Sequence, residues 1–299
     1  MTVGDLRAGL KRDLRSATPM QLGYYLVLFL DVLGQREKLR TLTVLPTAEE
    51  DINQVGALIR DTVGAVQTLR DAFNTSFEAQ SGDSKFSKTL APEMRERLRE
   101  IGEFEVRRYV FSDSIIISVP LHNSNEHCTP MNGVYCTLFA ACSVMTVALT
   151  QRIPLRGGID VGLGVEMSQS EVYGSALERA YFLESRKAGH PRIVVGEEMI
   201  RYLRAVEGQP STTVLGKAAV ALASKCLSAI FKDGDGSWAL DFLGSFFKEG
   251  VGGTLDPNFL KNALKFAETE KQKWSDAGNA TLAHRYDLLL AYLHSRSAI

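Results

Sequence analysis

The sequence predicts an α+β fold: a ferredoxin-like βαββαβ core, then an additional β-hairpin and a helical C-terminal extension. Three observations carry this prediction. YYLVLFLD, Tyr24 to Asp31, is a continuous apolar run of the kind that forms a central strand buried on both faces. VRRYVFSD and SIIISVP, residues 106–120, read as one long strand or as a tight hairpin hinged at Ser112, Asp113 and Ser114. IPLRGGIDVGLGVEM, residues 153–167, is a strand punctuated by glycine, and helical patterns separate it from the others.

The first of those helices starts at Pro46 and the capping box Thr47 to Glu50, and Ile52, Val55, Ile59, Val63 and Val66 continue at helical spacing. QSGDSKFSK reads as a loop and PEMRERLREIG as a short charged helix. The stretch from Val134 to Leu149 is apolar throughout but shorter than the ~20 residues a bilayer requires, so it reads as a helix buried against the sheet. SALERAYFLESRKAG is helical with Ala176, Leu177, Ala180 and Leu183 on its apolar face, and PRIVVGEEM is a strand leading into another helix. A Val/Ala-rich helix follows beyond Tyr202, and Asp233-Gly-Asp-Gly236 signals a hairpin. The tail from Asp256 is charged and helical. The resulting division is an N-terminal helical segment (1–21), the main domain (22–245) and a helical extension (246–299).

Composition narrows the function. With 34 basic and 35 acidic residues there is no basic excess, which argues against a nucleic-acid partner. The charged N-terminus has no apolar signal core and nothing reads as a membrane span, so a cytoplasmic location is expected. The four cysteines form no CxxC pair and read as reduced, buried thiols. His122, His127 and Cys128 lie in a loop whose spacing matches no ordinary zinc module.

Asp31 and Asp113 are the residues that call for chemistry. In a ferredoxin-like sheet the first strand lies beside the second strand of the hairpin, which brings both carboxylates to one end. Neighbouring carboxylates repel unless cations sit between them. A pair of Mg²⁺ or Mn²⁺ ions removes the repulsion and creates a phosphate site, since hard divalent ions are held by one or two carboxylates plus substrate phosphates. The backbone after Asp31, at Val32, Leu33 and Gly34, would turn its N–H groups toward anionic oxygens, with Gly34 permitting close approach. Taken singly, Asp31 also fits a helix N-cap and Asp113 a turn residue.

FLDVLG, FSDS, LRGGIDVGLGV and VYGSALERAYFLES, in this order, resemble the class III nucleotidyl cyclase domain. The closer similarity is to the bacterial pyrimidine cyclases of the Pycsar anti-phage system, where RGGI, YG-x-A, AY-x-LES and PRI recur in turn. The resemblance covers about residues 22 to 200. It implies a homodimer with active sites shared across the interface, and two Mn²⁺ or Mg²⁺ ions held by Asp31 and Asp113 with Val32. It further implies cyclisation of a nucleoside triphosphate and a separate effector with a cyclic-nucleotide-binding domain that reads the product.

Two departures from the purine enzymes follow from the same alignment of motifs. Their base-reading Lys, four residues before the second metal Asp, is Tyr109 here, and strand alternation puts Arg107, Tyr109, Phe111 and Asp113 on one face. Their base-reading Asp, three residues before Gly174, is Glu171. Tyr109, Arg107 and Glu171 therefore become the candidate base pocket, which favours a pyrimidine and UTP over CTP. The transition-state Asn and Arg fall on Glu178 and Phe182, which cannot do the same work. Arg179 and Arg186 on that helix are the candidates for reaching the phosphates, together with Leu33 and Gly34. The competing reading is a degenerate cyclase that binds nucleotide as a sensor; a palm-type enzyme making a dinucleotide is a third.

Overall fold

The computed structural model describes residues 21–40, 42–43, 45, 47–81, 106–111, 113–121, 130–168, 171–252 and 258–297. The expected N-terminal helical segment, the short charged helix and the His122/His127/Cys128 loop lie outside those residues, as does the QSGDSKFSK loop after Gln80 and Ser81, which are helical instead.

The chain begins with strand β1 (Gln21–Val32), a short helix α1 (Gln35–Arg40) and a long helix α2 (Glu49–Ser81). Strands β2 (Arg107–Phe111) and β3 (Ser114–Pro120) follow, then helix α3 (Met131–Thr150) and strand β4 (Leu155–Ser168). β1 pairs antiparallel with both β3 and β4, and β2 pairs antiparallel with β3. This gives the order β2-β3-β1-β4, the ferredoxin-like arrangement the sequence predicts. Asp113 lies in the turn of the β2–β3 hairpin, because Phe111 pairs with Ser114; of the two expected alternatives the hairpin is the one formed.

Later elements extend the sheet. β5 (Glu171–Tyr173) pairs with β4 and leads into helix α4 (Ser175–Phe182), which continues as a π-helical turn, Leu183–Lys187. β6 (Ile193–Val195) lies parallel to β4, and helices α5 (Glu197–Glu207) and α6 (Val214–Ser228) follow. The hairpin of β7 (Ile230–Lys232) and β8 (Trp238–Leu240) adds the outer strands. Helices α7 (Ser245–Gly250), α8 (Phe259–Asp276) and α9 (Ala280–Ser297) complete the chain.

Strand alternation divides β1 between two faces. Leu26, Leu28 and Leu30 join the main core with Leu69 and Phe73 of α2 and Leu138 and Met145 of α3. Each such large apolar side chain contributes about 1.5–3 kcal/mol on burial. Phe259, Phe266 and Leu289 of the C-terminal helices belong to this same cluster, so the extension shares the core of the sheet. Tyr25 and Val27 face the other way, onto Ala176 and Ala180 of α4. Among the described residues α3 alone is long and apolar enough to cross a membrane, and 72% of its most apolar stretch is buried inside the protein.

Ile52, Val55, Ile59, Val63 and Val66 lie on α2, as their spacing predicts, yet Ile52, Ile59 and Val63 are 49, 44 and 60% exposed. The buried face begins at Thr62 and runs through Val66, Leu69, Phe73 and Phe77. Among the described residues the helix extends beyond the core it covers, and its first turns are left outside it.

The glycines of LRGGIDVGLG seat α4. A side chain at Gly158 would meet the Ala180 carbonyl at 2.2 Å, and one at Gly162 would meet Ser175 Oγ and the Ala176 nitrogen at 2.9 Å. Two glycines four residues apart on one face of β4 thus let the helix backbone rest directly on the strand. Arg192, from the PRI segment, is buried and paired with Asp233 and Asp235, which pins the β7–β8 hairpin to the start of β6. Cys136, Cys142 and Cys226 are buried free thiols, as expected, and burial pushes Cys136 up to about 12.

Candidate active site

Asp31 closes β1, and its neighbours follow from register: Ser114 on β3 on one side, Arg156 on β4 on the other. Ser114 Oγ donates to Asp31 Oδ1 at 3.1 Å. Arg156 Nη2 lies 3.5 Å from Asp31 Oδ2, and its Nε lies 2.5 Å from Glu184 Oε1. Asp31 and Glu184 are 5 and 2% exposed. Burial raises the Glu184 carboxyl above the ordinary range; Arg156 opposes the rise and the Asp31 charge adds to it.

Glu184 reaches this position because α4 widens into the π-helical turn, closed by Ala188 N–H donating to the Leu183 carbonyl at 2.8 Å. Such single π turns concentrate at functional sites. Gly158 permits the same contact from below, since a Cβ there would stand 2.7 Å from the Glu184 nitrogen.

Asp113 sits beside this group. Its carbonyl accepts from Val32 N–H at 3.4 Å, which ties the hairpin turn to the end of β1. The side chain is 6% exposed, and its Oδ2 is buried without a hydrogen-bond partner. An unpaired buried carboxylate oxygen is costly unless a cation meets it. Among the described residues no three His, Cys, Asp or Glu side chains gather into a metal site of their own. A hard divalent ion does not need three, because phosphates and water complete its shell. The orphaned Asp113 oxygen next to Asp31 therefore fits such an ion.

An open cavity of about 280 Å³ adjoins Asp113. Its other walls are Gln35 and Leu39 of α1 and one stripe of α2 from Ile59 to Arg70. Two of the exposed apolar residues of α2, Ile59 and Val63, thus line a cavity at the site. Gln35 is 4% exposed and its Nε2 donates to the Thr62 carbonyl at 3.5 Å, which fixes α1 against α2.

The remaining candidates are distributed as follows. Leu33 N–H donates to the Pro154 carbonyl at 2.8 Å, so the amides of Val32 and Leu33 are both engaged with backbone rather than turned to an open anion site. Gly34 takes φ of 83°, the left-handed conformation that lets the chain reverse after β1. Arg179 pairs with Glu198 of α5 at 2.9 Å, and Arg186 is exposed on the π turn. Glu178 and Phe182 are exposed too. Arg107 and Tyr109 lie in β2, and Glu171 opens β5, but their side chains are outside the described residues.

Sequence reasoning missed Arg156 and Glu184. Both stood inside motifs already singled out, LRGG and YFLES, but only strand register and the π turn bring them to Asp31. It also left Asp160 unremarked. That buried carboxylate accepts from Val161 N–H at 2.9 Å and Met199 N–H at 2.8 Å, and so caps the N-terminus of α5.

No family model matches the chain, and no curated protein does. Among solved structures it is similar to a class III adenylyl cyclase-like ATP-binding protein from Pseudomonas aeruginosa. The identity there is 14% and the TM-score 0.41, over 73% of this chain and 43% of that one. It is also similar to a bacterial light-regulated adenylyl cyclase, at 12% identity and a TM-score of 0.37, over 89% of this chain and 59% of that one. The chain thus spans less than two thirds of either, and at these identities no residue's role carries across.

Proposed function

We propose that this protein is a pyrimidine nucleotide cyclase, converting UTP, and less readily CTP, to the 3′,5′-cyclic monophosphate with release of pyrophosphate. The observation that carries the reading is Asp113: a buried carboxylate oxygen without a hydrogen-bond partner, at the strand end where Asp31 also lies. Asp31 and Asp113 would hold Mg²⁺ or Mn²⁺, which when bound acidifies the ribose 3′-hydroxyl and neutralises the triphosphate. Ser114 and Arg156 hold the Asp31 carboxylate in a single orientation from either side. Glu184 keeps the Arg156 guanidinium at the strand end.

Preference for a pyrimidine rests on residue type: Tyr109 and Glu171 stand where a purine reader would carry Lys and Asp. The resemblance to the Pycsar cyclases supports a homodimer, a role in anti-phage signalling and a separate effector that reads the product. One observation favours the alternative of a nucleotide sensor without turnover. Arg156 is already committed to Asp31 and Glu184, while Glu178 and Phe182 supply no substitute for a transition-state Asn and Arg.

The test is to incubate the purified protein with ATP, GTP, CTP or UTP and Mn²⁺ and to identify products by mass, with Asp113→Asn alongside. A cyclic pyrimidine monophosphate that disappears in the variant supports the enzyme. Metal-dependent binding with no product from any nucleotide supports the sensor.

A further inference from the structure

Arg70 lies on the wall of the cavity beside Asp113, and these two are its only charged lining residues among those described. The α2 residues of that wall are Ile59, Thr62, Val63, Val66, Gln67 and Arg70, spaced as one face of a helix. The face changes character along its length. Its N-terminal part is apolar, with Ile59 and Val63 open to the cavity, and its C-terminal part carries the Gln67 amide and the Arg70 guanidinium. At 1.5 Å per residue the row spans about 16 Å.

Among the described residues Arg70 makes no ion pair or side-chain hydrogen bond, whereas its neighbour Asp71 accepts from Gln67 Nε2 at 2.8 Å. Arg156 and Arg179, at the sheet end and on α4, are each committed to carboxylates, and Arg186 stands exposed on the π turn. A half-buried guanidinium without a partner, facing a cavity with apolar walls, suits a ligand that has an anionic end and a flat apolar end. Arginine binds phosphate oxygens through paired N–H donors.

We infer that Arg70 grips the phosphate chain of the nucleotide, with Ile59 and Val63 forming the apolar wall beside the rest of the ligand. This deepens the nucleotide reading above and rests on it. It assigns the phosphate-binding cation to α2, away from the α4 helix where Arg179 and Arg186 stand.

The experiment is calorimetric titration of the full chain, in Mg²⁺, with UTP, inorganic pyrophosphate and uridine. Arg70→Ala is expected to weaken UTP and pyrophosphate binding about tenfold or more and to leave uridine within about twofold. Arg70→Lys keeps the charge and recovers part of the loss. Arg60→Ala, on the exposed side of the same helix, leaves all three affinities unchanged. Arg70→Gln replaces the Ala variant if the latter loses the fold. Unchanged UTP and pyrophosphate affinity in the Arg70 variants, with wild-type binding intact, overturns the inference. So does an equal loss for UTP and uridine, which would mark a structural role. Wild-type protein that binds no nucleoside triphosphate at all overturns the nucleotide reading itself.

Discussion

Asp31 and Arg156 face each other across β1 and β4 as register partners, and the guanidinium whose Nη2 lies 3.5 Å from Asp31 reaches Glu184 with its Nε. One cation therefore serves two buried carboxylates, while Asp113, whose backbone carbonyl accepts from Val32 N–H, has a buried carboxylate oxygen without a hydrogen-bond partner. The site carries more negative than positive charge among its described side chains, which is the condition under which a divalent ion is retained.

Removing Arg156 leaves Asp31 and Glu184 buried together. Arg156→Ala is expected to destabilise the protein by about 3 kcal/mol, read from urea unfolding in EDTA. Glu184→Gln removes one of the two charges and keeps the side-chain volume, so its loss should stay below about 1 kcal/mol. Equal losses in the two variants would count against a shared ion pair.

Asp113→Asn should separate stability from metal response. The native carboxylate is buried with an unpaired oxygen, so the neutral amide is expected to raise stability in EDTA by about 1 kcal/mol. Mn²⁺ should raise the melting temperature of the native protein, because an ion that binds only the folded state stabilises it. That rise should vanish in the variant. Thermal melts in EDTA and in Mn²⁺ check both halves, and an undiminished Mn²⁺ effect would remove Asp113 from the metal site.

Gly158→Ala tests the seat of α4. The added methyl would stand 2.2 Å from the Ala180 carbonyl and 2.7 Å from both the Glu184 nitrogen and Leu183 Cβ, two of them backbone atoms that cannot swing aside. A loss of about 3 kcal/mol is expected, together with displacement of Glu184 and reduced nucleotide turnover. Gly64→Ala, in α2 with open space at its Cβ, is the matched control and should be neutral or slightly stabilising.

His190 gives the protein an acid sensitivity of its own. Burial lowers its pKa from 6.5 to about 4, with Arg192 adding to the effect and Asp233 and Asp235 opposing it. The unfolded chain therefore binds a proton that the folded chain refuses. Stability is full above about pH 6.5 and falls as the pH drops toward 4, by about 3 kcal/mol over the whole window. In His190→Gln the slope of stability against pH between 6.5 and 4 should flatten, measured by urea unfolding at stepped pH. A slope equal to that of the native protein would assign the acid sensitivity to other groups.

What could be read from the chain directly was whatever local pattern encodes. The apolar run of β1, the buried helix α3, the hairpin at Asp113 and the Asp233-Gly-Asp-Gly236 turn each carry their signal within a few residues, and each formed where expected. The ferredoxin-like order followed, because few topologies connect those elements without crossing. The convergence of Asp31 and Asp113 was legible for the same reason, as strand ends in a known order. What only the tertiary structure decided is which side chains meet there. Arg156 lies 125 residues from Asp31, and the two face each other because one register of β1 on β4 was selected by the packing of both faces. On α2 the spacing of Ile52, Ile59 and Val63 is as helical as that of Val66, Leu69 and Phe73. Only the extent of the core beneath the helix determined which residues it would bury and which would line a cavity beside Asp113.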